Sequence, residues 1–174
     1  MDALAVQSAA AGGHWGTWTP EAPGERLTLP DLVRAVRAAT DLPVLAAGGI
    51  GSSADVRAAL DAGARAVAVG TLLLLADEAG TNPAHRAGLV EDRDDPVATT
   101  AFSGRPAGAV RNAFLAAYDG KGPLGYPALH HLTSPIRKAA TAQANPEHVN
   151  LWAGTGYRNI KAQPAGETLK SLLP

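Results

Sequence analysis

One histidine stands in a glycine-rich segment, where an imidazole can reach a bound ligand without being blocked by its neighbours. His14 follows Gly12 and Gly13 and comes shortly after the apolar segment 3–7. We predict that it lies at the carboxyl end of that strand. Its ordinary pKa, about 6.5, suits it to proton transfer near neutral pH. Residue type and spacing leave two interpretations open, a catalytic base and an ordinary loop histidine.

Two other turns have the composition of an anion site. Gly48 and Gly49 follow one apolar segment, Gly70 and Thr71 follow the next, and we predict a helix after each turn. Glycine lets backbone N–H groups approach an anion closely, and the amino end of a helix favours negative charge. Either turn alone is explained by a tight connection between a strand and a helix. Because a single βα unit separates the two turns, they predict a shared phosphate site.

Composition excludes several other chemistries. The 174 residues include no cysteine, which rules out disulfides, thiolate metal sites and a cysteine nucleophile. The formal net charge of −1 argues against nucleic acid as a partner. The adjacent His130 and His131 have no carboxylate at ligand spacing, so we predict no metal site. No apolar run is long enough to span a membrane and no secretory signal is visible, so we expect no membrane partner and a cytoplasmic location.

The elements that must position these residues alternate between strand and helix over the first 80 residues. The predicted elements are strands at 3–7, 42–47 and 66–69, and helices at 29–39, at 52–62 and from about Leu72. Buried strands that alternate with helices indicate a parallel sheet with helices outside it. The fold class is therefore α/β, and both an open doubly wound sheet and a closed barrel fit the pattern.

The second half of the chain has weaker periodicity. Its predicted segments are a polar connection at 82–95 with a solvated charge run at 91–95, a turn-rich connector at 120–127, and helices at 107–118, 135–144 and 165–173. In the first half, a loop at 17–24 precedes the first helix. We expect one domain, in which residues 1–80 supply the βα units and residues 81–174 a loop and helical region.

At these residues the sequence resembles the nitronate monooxygenase family of FMN-dependent (β/α)₈-barrel enzymes. The segments that carry the resemblance are 6–17, 43–50, 58–64, 69–71, 101–107, 111–112 and 151–154. Together they span nearly the whole chain. The central segments alone occur widely in phosphate-binding barrels, whereas the combination with the Gly-Gly-His segment is specific.

The resemblance implies a role for each matching residue. His14 matches the family's catalytic base. The implied flavin contacts are Gln7 and Gly12 near the flavin, and Gly48, Gly49, Gly70 and Thr71 around the FMN phosphate. The implied reaction oxidises an alkyl nitronate or nitroalkane with O₂ to a carbonyl compound and nitrite. This sequence departs from the family pattern at Ser8, where glycine is usual, and at Ala10, where glutamate is frequent.

The resemblance also implies a fold and partners. The match begins at the family's sixth strand, which predicts about the last three strands of a TIM (β/α)₈ barrel plus a helical C-terminal extension. We therefore expect a fragment of a larger enzyme, whose partner is a second copy or an N-terminal half. Two alternatives stay open. One is an oxidoreductase like the flavin-dependent enoyl-acyl-carrier-protein reductases, and the other is an inactive fragment that binds a phosphate compound or flavin.

Overall fold

The computed structural model of the chain describes residues 1–22 and 26–174, so the predicted loop 17–24 lies partly outside the described residues. The helices and strands are β1 Leu4–Gln7, β2 Gly13–His14, α1 Leu29–Ala39, β3 Val44–Ala47, α2 Ser53–Asp61, β4 Ala66–Ala68, α3 Pro83–Val90, β5 Val97–Thr99, β6 Ala107–Ala109, α4 Ala113–Tyr118, α5 Ala128–Ala142 and α6 Ala165–Ser171. Short 3₁₀ turns occupy Thr71–Leu73, Pro146–His148 and Thr155–Asn159. Within the described ranges, no helix is both long and apolar enough to cross a membrane.

The chain forms two compact units that interleave along the sequence. The first comprises Met1–Ala11, Glu25–Ala79 and Gly154–Pro174, and the second comprises Gly12–Gly24 and Gly80–Ala153. Both combine helices and strands, so the α/β class is confirmed. The segment with His14 therefore belongs to the second unit, although it follows β1 of the first.

The first unit contains a parallel three-stranded sheet in the order β1-β3-β4, as the alternating pattern predicts. Val44 and Ala46 of β3 are fully buried in the core of this unit, whereas Leu45 between them is 37% exposed. This alternation places one face of the strand on the core and the other outside it. The sheet and the helices α1 and α2 confirm the predicted order of elements.

Capping residues fix where those two helices begin. The Thr28 hydroxyl accepts a hydrogen bond from the Asp31 N–H at the start of α1, and the Ser52 hydroxyl accepts one from the Asp55 N–H at the start of α2. Such caps satisfy N–H groups that have no partner within the helix. The predicted bounds of both helices are therefore confirmed to within a residue.

The helix predicted near Leu72 is wrong. The chain forms only a 3₁₀ turn at Thr71–Leu73, although Leu72 and Leu75 are buried as the apolar run suggested. The Asp77 N–H then donates to the Gln163 carbonyl and not to a residue one turn earlier. The backbone at Asp77 is therefore bonded to a distant segment of the unit and not along a helix.

The second unit contains an antiparallel sheet in the order β2-β6-β5, which corrects the helix predicted for 107–118. All three residues of β6, Ala107–Ala109, are buried, and the strand pairs on both sides. A helix follows only from Ala113, where the Asn112 side chain caps it by accepting from the Leu115 N–H. Alanine and glycine carry little strand preference, so this pairing is a tertiary effect.

One further helix was not predicted, and another differs from its predicted bounds. In the polar connection, Asn82 caps a helix that begins at Pro83. Helix α5 begins at Ala128, seven residues before the predicted start, with Pro135 inside it. Proline favours the first turn of a helix and is rare in its interior. In the charge run, the four acidic residues are exposed as predicted. Arg93 is the exception, because it is largely buried and paired with Glu91 and Glu147.

Candidate active site

His14 lies in the two-residue strand β2 and not at the end of β1, which corrects the sequence prediction. Its strand neighbour is Ala107 of β6, in an antiparallel register. Gly13, just before it, has φ +74°, a conformation that side-chain-bearing residues rarely adopt. The chain thus needs glycine at this position to turn into the strand that presents the imidazole.

Three side chains of the second unit surround the imidazole. The His14 Nε2 atom lies 2.7 Å from the Ser103 Oγ atom, within hydrogen-bond distance. The ring of Tyr126 meets the imidazole edge-on with 5.2 Å between ring centroids, and the Trp152 ring lies at 5.7 Å. These contacts hold the half-buried imidazole in a defined orientation.

The surroundings of His14 disfavour its protonated form. Partial burial lowers the pKa of the imidazole below its ordinary value, and the positive charges of Arg105, His130 and Arg137 lower it further. The side chain is consequently neutral at neutral pH and has a lone pair free to accept a proton. A lone pair at neutral pH is what a general base needs.

Arg105 also fastens the segment that follows His14. Its Nε atom donates to the Trp15 carbonyl at 3.1 Å, and its Nη2 atom donates to the Thr17 carbonyl at 2.8 Å. The guanidinium lies 5.8 Å from the centroid of the Tyr126 ring. One side chain therefore holds the backbone beyond the histidine and supplies a positive charge to the site.

The predicted anion turns both lie at one edge of the first unit's sheet. Since β1, β3 and β4 are parallel neighbours, their carboxyl ends share that edge. Gln7 ends β1 and is exposed, whereas Gly48 and Gly70 follow β3 and β4. In α/β sheets ligands bind at this edge.

Packing explains why residues 48 and 49 are glycine. Gly48 has φ +98° and Gly49 has φ +77°. A methyl group at Gly48 would lie 2.8 Å from the Ser8 Oγ atom, and one at Gly49 would lie 2.8 Å from the Ala10 Cβ atom. The first turn therefore requires glycine for its own conformation, whether or not it also binds a ligand.

The glycine at position 70 has no such explanation. Its φ is −118°, which any residue adopts, and a methyl group there would meet nothing within 4 Å. The open space beside an exposed glycine is where the backbone can touch a ligand closely. Beside it, the Thr71 hydroxyl accepts a hydrogen bond from the Gly154 N–H at 2.9 Å and keeps its own proton to donate. These features fit a phosphate group.

The structure thus brings five of the seven predicted site residues to one sheet edge of the first unit, namely Gln7, Gly48, Gly49, Gly70 and Thr71. Gly12 and His14 belong to the second unit. Sequence reasoning missed Ser103, Arg105 and Tyr126 as neighbours of the histidine. Ser103 and Arg105 lie in a segment that carries the family resemblance, which was the signal available for them.

Comparison with known proteins supplies the family. The model of the nitronate monooxygenase family matches residues 1–174, the whole chain. The chain belongs to the nitronate monooxygenase family.

One curated member of the nitronate monooxygenase family and two solved structures match nearly the whole of this chain. A nitronate monooxygenase of Pseudomonas aeruginosa is 39% identical over 176 residues, covering 99% of this chain and 50% of that protein. The crystal structure of nitroalkane oxidase from Streptomyces ansochromogenes superposes with a TM-score of 0.93 at 41% identity, over 98% of this chain and 50% of that one. FabK from Thermotoga maritima gives a TM-score of 0.76 at 25% identity, over 99% of this chain and 53% of that one. The chain spans about half the length of these relatives.

Proposed function

We propose that the protein takes part in the FMN-dependent oxidation of alkyl nitronates or nitroalkanes by O₂, giving a carbonyl compound and nitrite. The observation that carries the proposal is the neutral, oriented imidazole of His14 in a chain that belongs to the nitronate monooxygenase family throughout its length. The similarity to a nitroalkane oxidase structure supports the same class of substrate.

Under this proposal, the residues of the first unit hold the cofactor. Gly48, Gly49, Gly70 and Thr71 surround the FMN phosphate, and Gln7 at the same sheet edge faces the flavin. Gly70 supports this assignment best, because neither its backbone conformation nor its packing requires glycine. Gly12, beside the histidine segment, is the further flavin contact. FMN, when bound, supplies the electron acceptor for the substrate and passes the electrons to O₂.

His14 has a separate task that depends on the protonation state of the substrate. A neutral nitroalkane must lose its α-proton before oxidation, and the neutral imidazole takes that proton. A nitronate has already lost it, so His14 then only orients the anion. The positive charges of Arg105 and Arg137 that keep His14 neutral also favour an anionic nitronate over the neutral nitroalkane.

We also propose that the parallel sheet of the first unit is part of a (β/α)₈ barrel, with β1, β3 and β4 as about its last three strands. The parallel order and the glycine turns at the carboxyl ends support this proposal, since phosphate sites of such barrels follow the last two strands. A second copy of the chain or an N-terminal half would supply the other strands.

The rival function is reduction of an enoyl thioester with NAD(P)H, and one experiment separates the two reactions. The chain, with FMN added, is given an alkyl nitronate and O₂ in one reaction, and NADH with an enoyl thioester in another. Our proposal predicts O₂ uptake with nitrite release in the first reaction. NADH oxidation that depends on the thioester, without nitrite from nitronate, would establish the rival. Flavin binding without either reaction would leave an inactive binding fragment.

A further inference from the structure

The serine beside His14 is buried and held by several hydrogen bonds. Ser103 is 1% exposed. Besides the 2.7 Å contact with the His14 Nε2 atom, its Oγ atom lies 3.3 Å from the Arg105 carbonyl oxygen and 3.4 Å from the Arg105 backbone nitrogen. The hydroxyl thus has three partners and no access to solvent that could change them.

Because the Ser103 hydroxyl has a single proton, it can donate a hydrogen bond to only one of its three partners. A serine hydroxyl has one proton to donate and two lone pairs with which to accept. The Arg105 carbonyl can only accept, and the Arg105 N–H can only donate. If the hydroxyl donates to the carbonyl, its lone pairs accept the Arg105 N–H and an Nε2–H of His14, and every group is satisfied. If the hydroxyl donated to Nε2 instead, the Ser103 Oγ atom and the Arg105 carbonyl oxygen would lie 3.3 Å apart with no proton between them.

The arrangement therefore favours one tautomer of the neutral imidazole. With the proton on Nε2, the lone pair lies on Nδ1. The rings of Tyr126 and Trp152 pack against the imidazole and oppose its rotation. These ring contacts are the same in both tautomers, so they do not favour either one. The hydrogen bonds of the Ser103 hydroxyl therefore determine which tautomer is more stable.

We propose that Ser103 is a positioning residue that holds His14 in the Nε2–H tautomer and leaves Nδ1 as the nitrogen that accepts a proton. The statement about the tautomer depends only on the chain's own hydrogen bonds. The use of Nδ1 toward a nitroalkane rests on the proposed function.

Nitrogen NMR of the chain tests the tautomer directly. The protein is labelled with ¹⁵N in its histidine rings, the His14 signals are assigned with a His14→Gln variant, and spectra are recorded at a pH where His14 is neutral. We expect the His14 signals of the unaltered chain to show a protonated Nε2 and an unprotonated Nδ1. A protonated Nδ1 in the unaltered chain would overturn the proposal without any variant.

Two variants then test whether the serine is the cause. In Ser103→Ala we expect both ring nitrogens of His14 to move toward the average shift of a mixture of tautomers. The matched control is Thr133→Val, which removes another buried hydroxyl whose bond goes to the neighbouring Phe102 carbonyl. We expect that control to leave the His14 signals in place. Unchanged signals in Ser103→Ala, or the same change in both variants, would contradict a positioning role.

The outcome is separate from that of the proposed function. Absence of nitrite from nitronate would refute the function and leave the tautomer result standing. Conversely, the wrong tautomer in a chain whose turnover depends on His14 would refute only the role of Ser103.

Discussion

The Ser8 side chain occupies the space that a side chain at Gly48 would need. The Ser8 hydroxyl donates to the Gly48 carbonyl at 3.2 Å and accepts from the Ala10 N–H at 3.3 Å. Ser8 is buried, and it stands where the resemblance to the family leads one to expect glycine. The hydroxyl therefore ties the end of β1 to the turn after β3, and the two positions are coupled.

Because the two positions are coupled, a side chain at Gly48 should lower the free energy of unfolding. Gly48→Ala introduces a methyl group 2.8 Å from the Ser8 Oγ atom and 2.9 Å from the Ser8 carbonyl, at a residue with φ +98°. We expect the free energy of unfolding to fall by about 1–3 kcal/mol, measured by urea titration. Gly80→Ala is the matched control, because a methyl group there meets nothing within 4 Å. Equal stability of the two variants would refute the packing argument.

For the turn at Gly70 we predict the opposite, namely little change in stability and a loss of FMN affinity. Gly70→Ala places its methyl group in open space at an ordinary φ, so we expect a change in unfolding free energy within about 0.5 kcal/mol. We expect its affinity for FMN to fall at least tenfold, roughly the loss of one good hydrogen bond to a charged group. Flavin fluorescence titration measures the affinity. FMN binding as tight as in the unaltered chain would remove Gly70 from the phosphate site.

The role of His14 as a base predicts a difference between two substrates. We expect His14→Gln to lower turnover of a neutral nitroalkane by about 10²- to 10⁴-fold, the usual contribution of a general base. Turnover of the corresponding nitronate should fall much less, since no proton has to be removed. The control is His131→Gln on the exposed surface of α5. Nitroalkane turnover that His14→Gln leaves unchanged would contradict the assignment.

The positive charges around His14 predict the pH dependence. Because the pKa of His14 lies below its ordinary value of about 6.5, nitroalkane turnover should be constant above that pH and fall as the pH drops through the lowered pKa. Arg137→Gln removes one positive charge and should move this acidic limb to higher pH. Lys138→Gln, the neighbouring exposed charge, should leave it in place. A limb that stays in place in Arg137→Gln would show that the charge does not act on His14.

The sequence predicts an element correctly where the local pattern of residues and the tertiary structure favour the same conformation. The starts of α1 and α2, the buried strand with Val44 and Ala46, and the glycine turns after it were all predictable from type and spacing. Strand β6 was not, because Ala107–Ala109 has no strand preference and is held only by pairing with two other strands.

The surroundings of His14 were equally beyond sequence reasoning. Ser103 is 89 residues away along the chain. No local pattern indicates that such a residue contacts the histidine. The family resemblance marked the segment that contains Ser103 and Arg105, but only the antiparallel pairing of β2 with β6 brings that segment to the imidazole.

The most direct test of the account is whether flavin bound to this chain takes electrons from a nitronate. The chain is incubated with FMN, desalted and mixed anaerobically with an alkyl nitronate while the visible absorption spectrum is recorded. We predict a retained flavin spectrum near one equivalent, loss of the oxidised flavin band on addition of nitronate, and its return when O₂ is admitted. A desalted chain without flavin absorbance, or a bound flavin that NADH reduces and nitronate does not, would contradict the account.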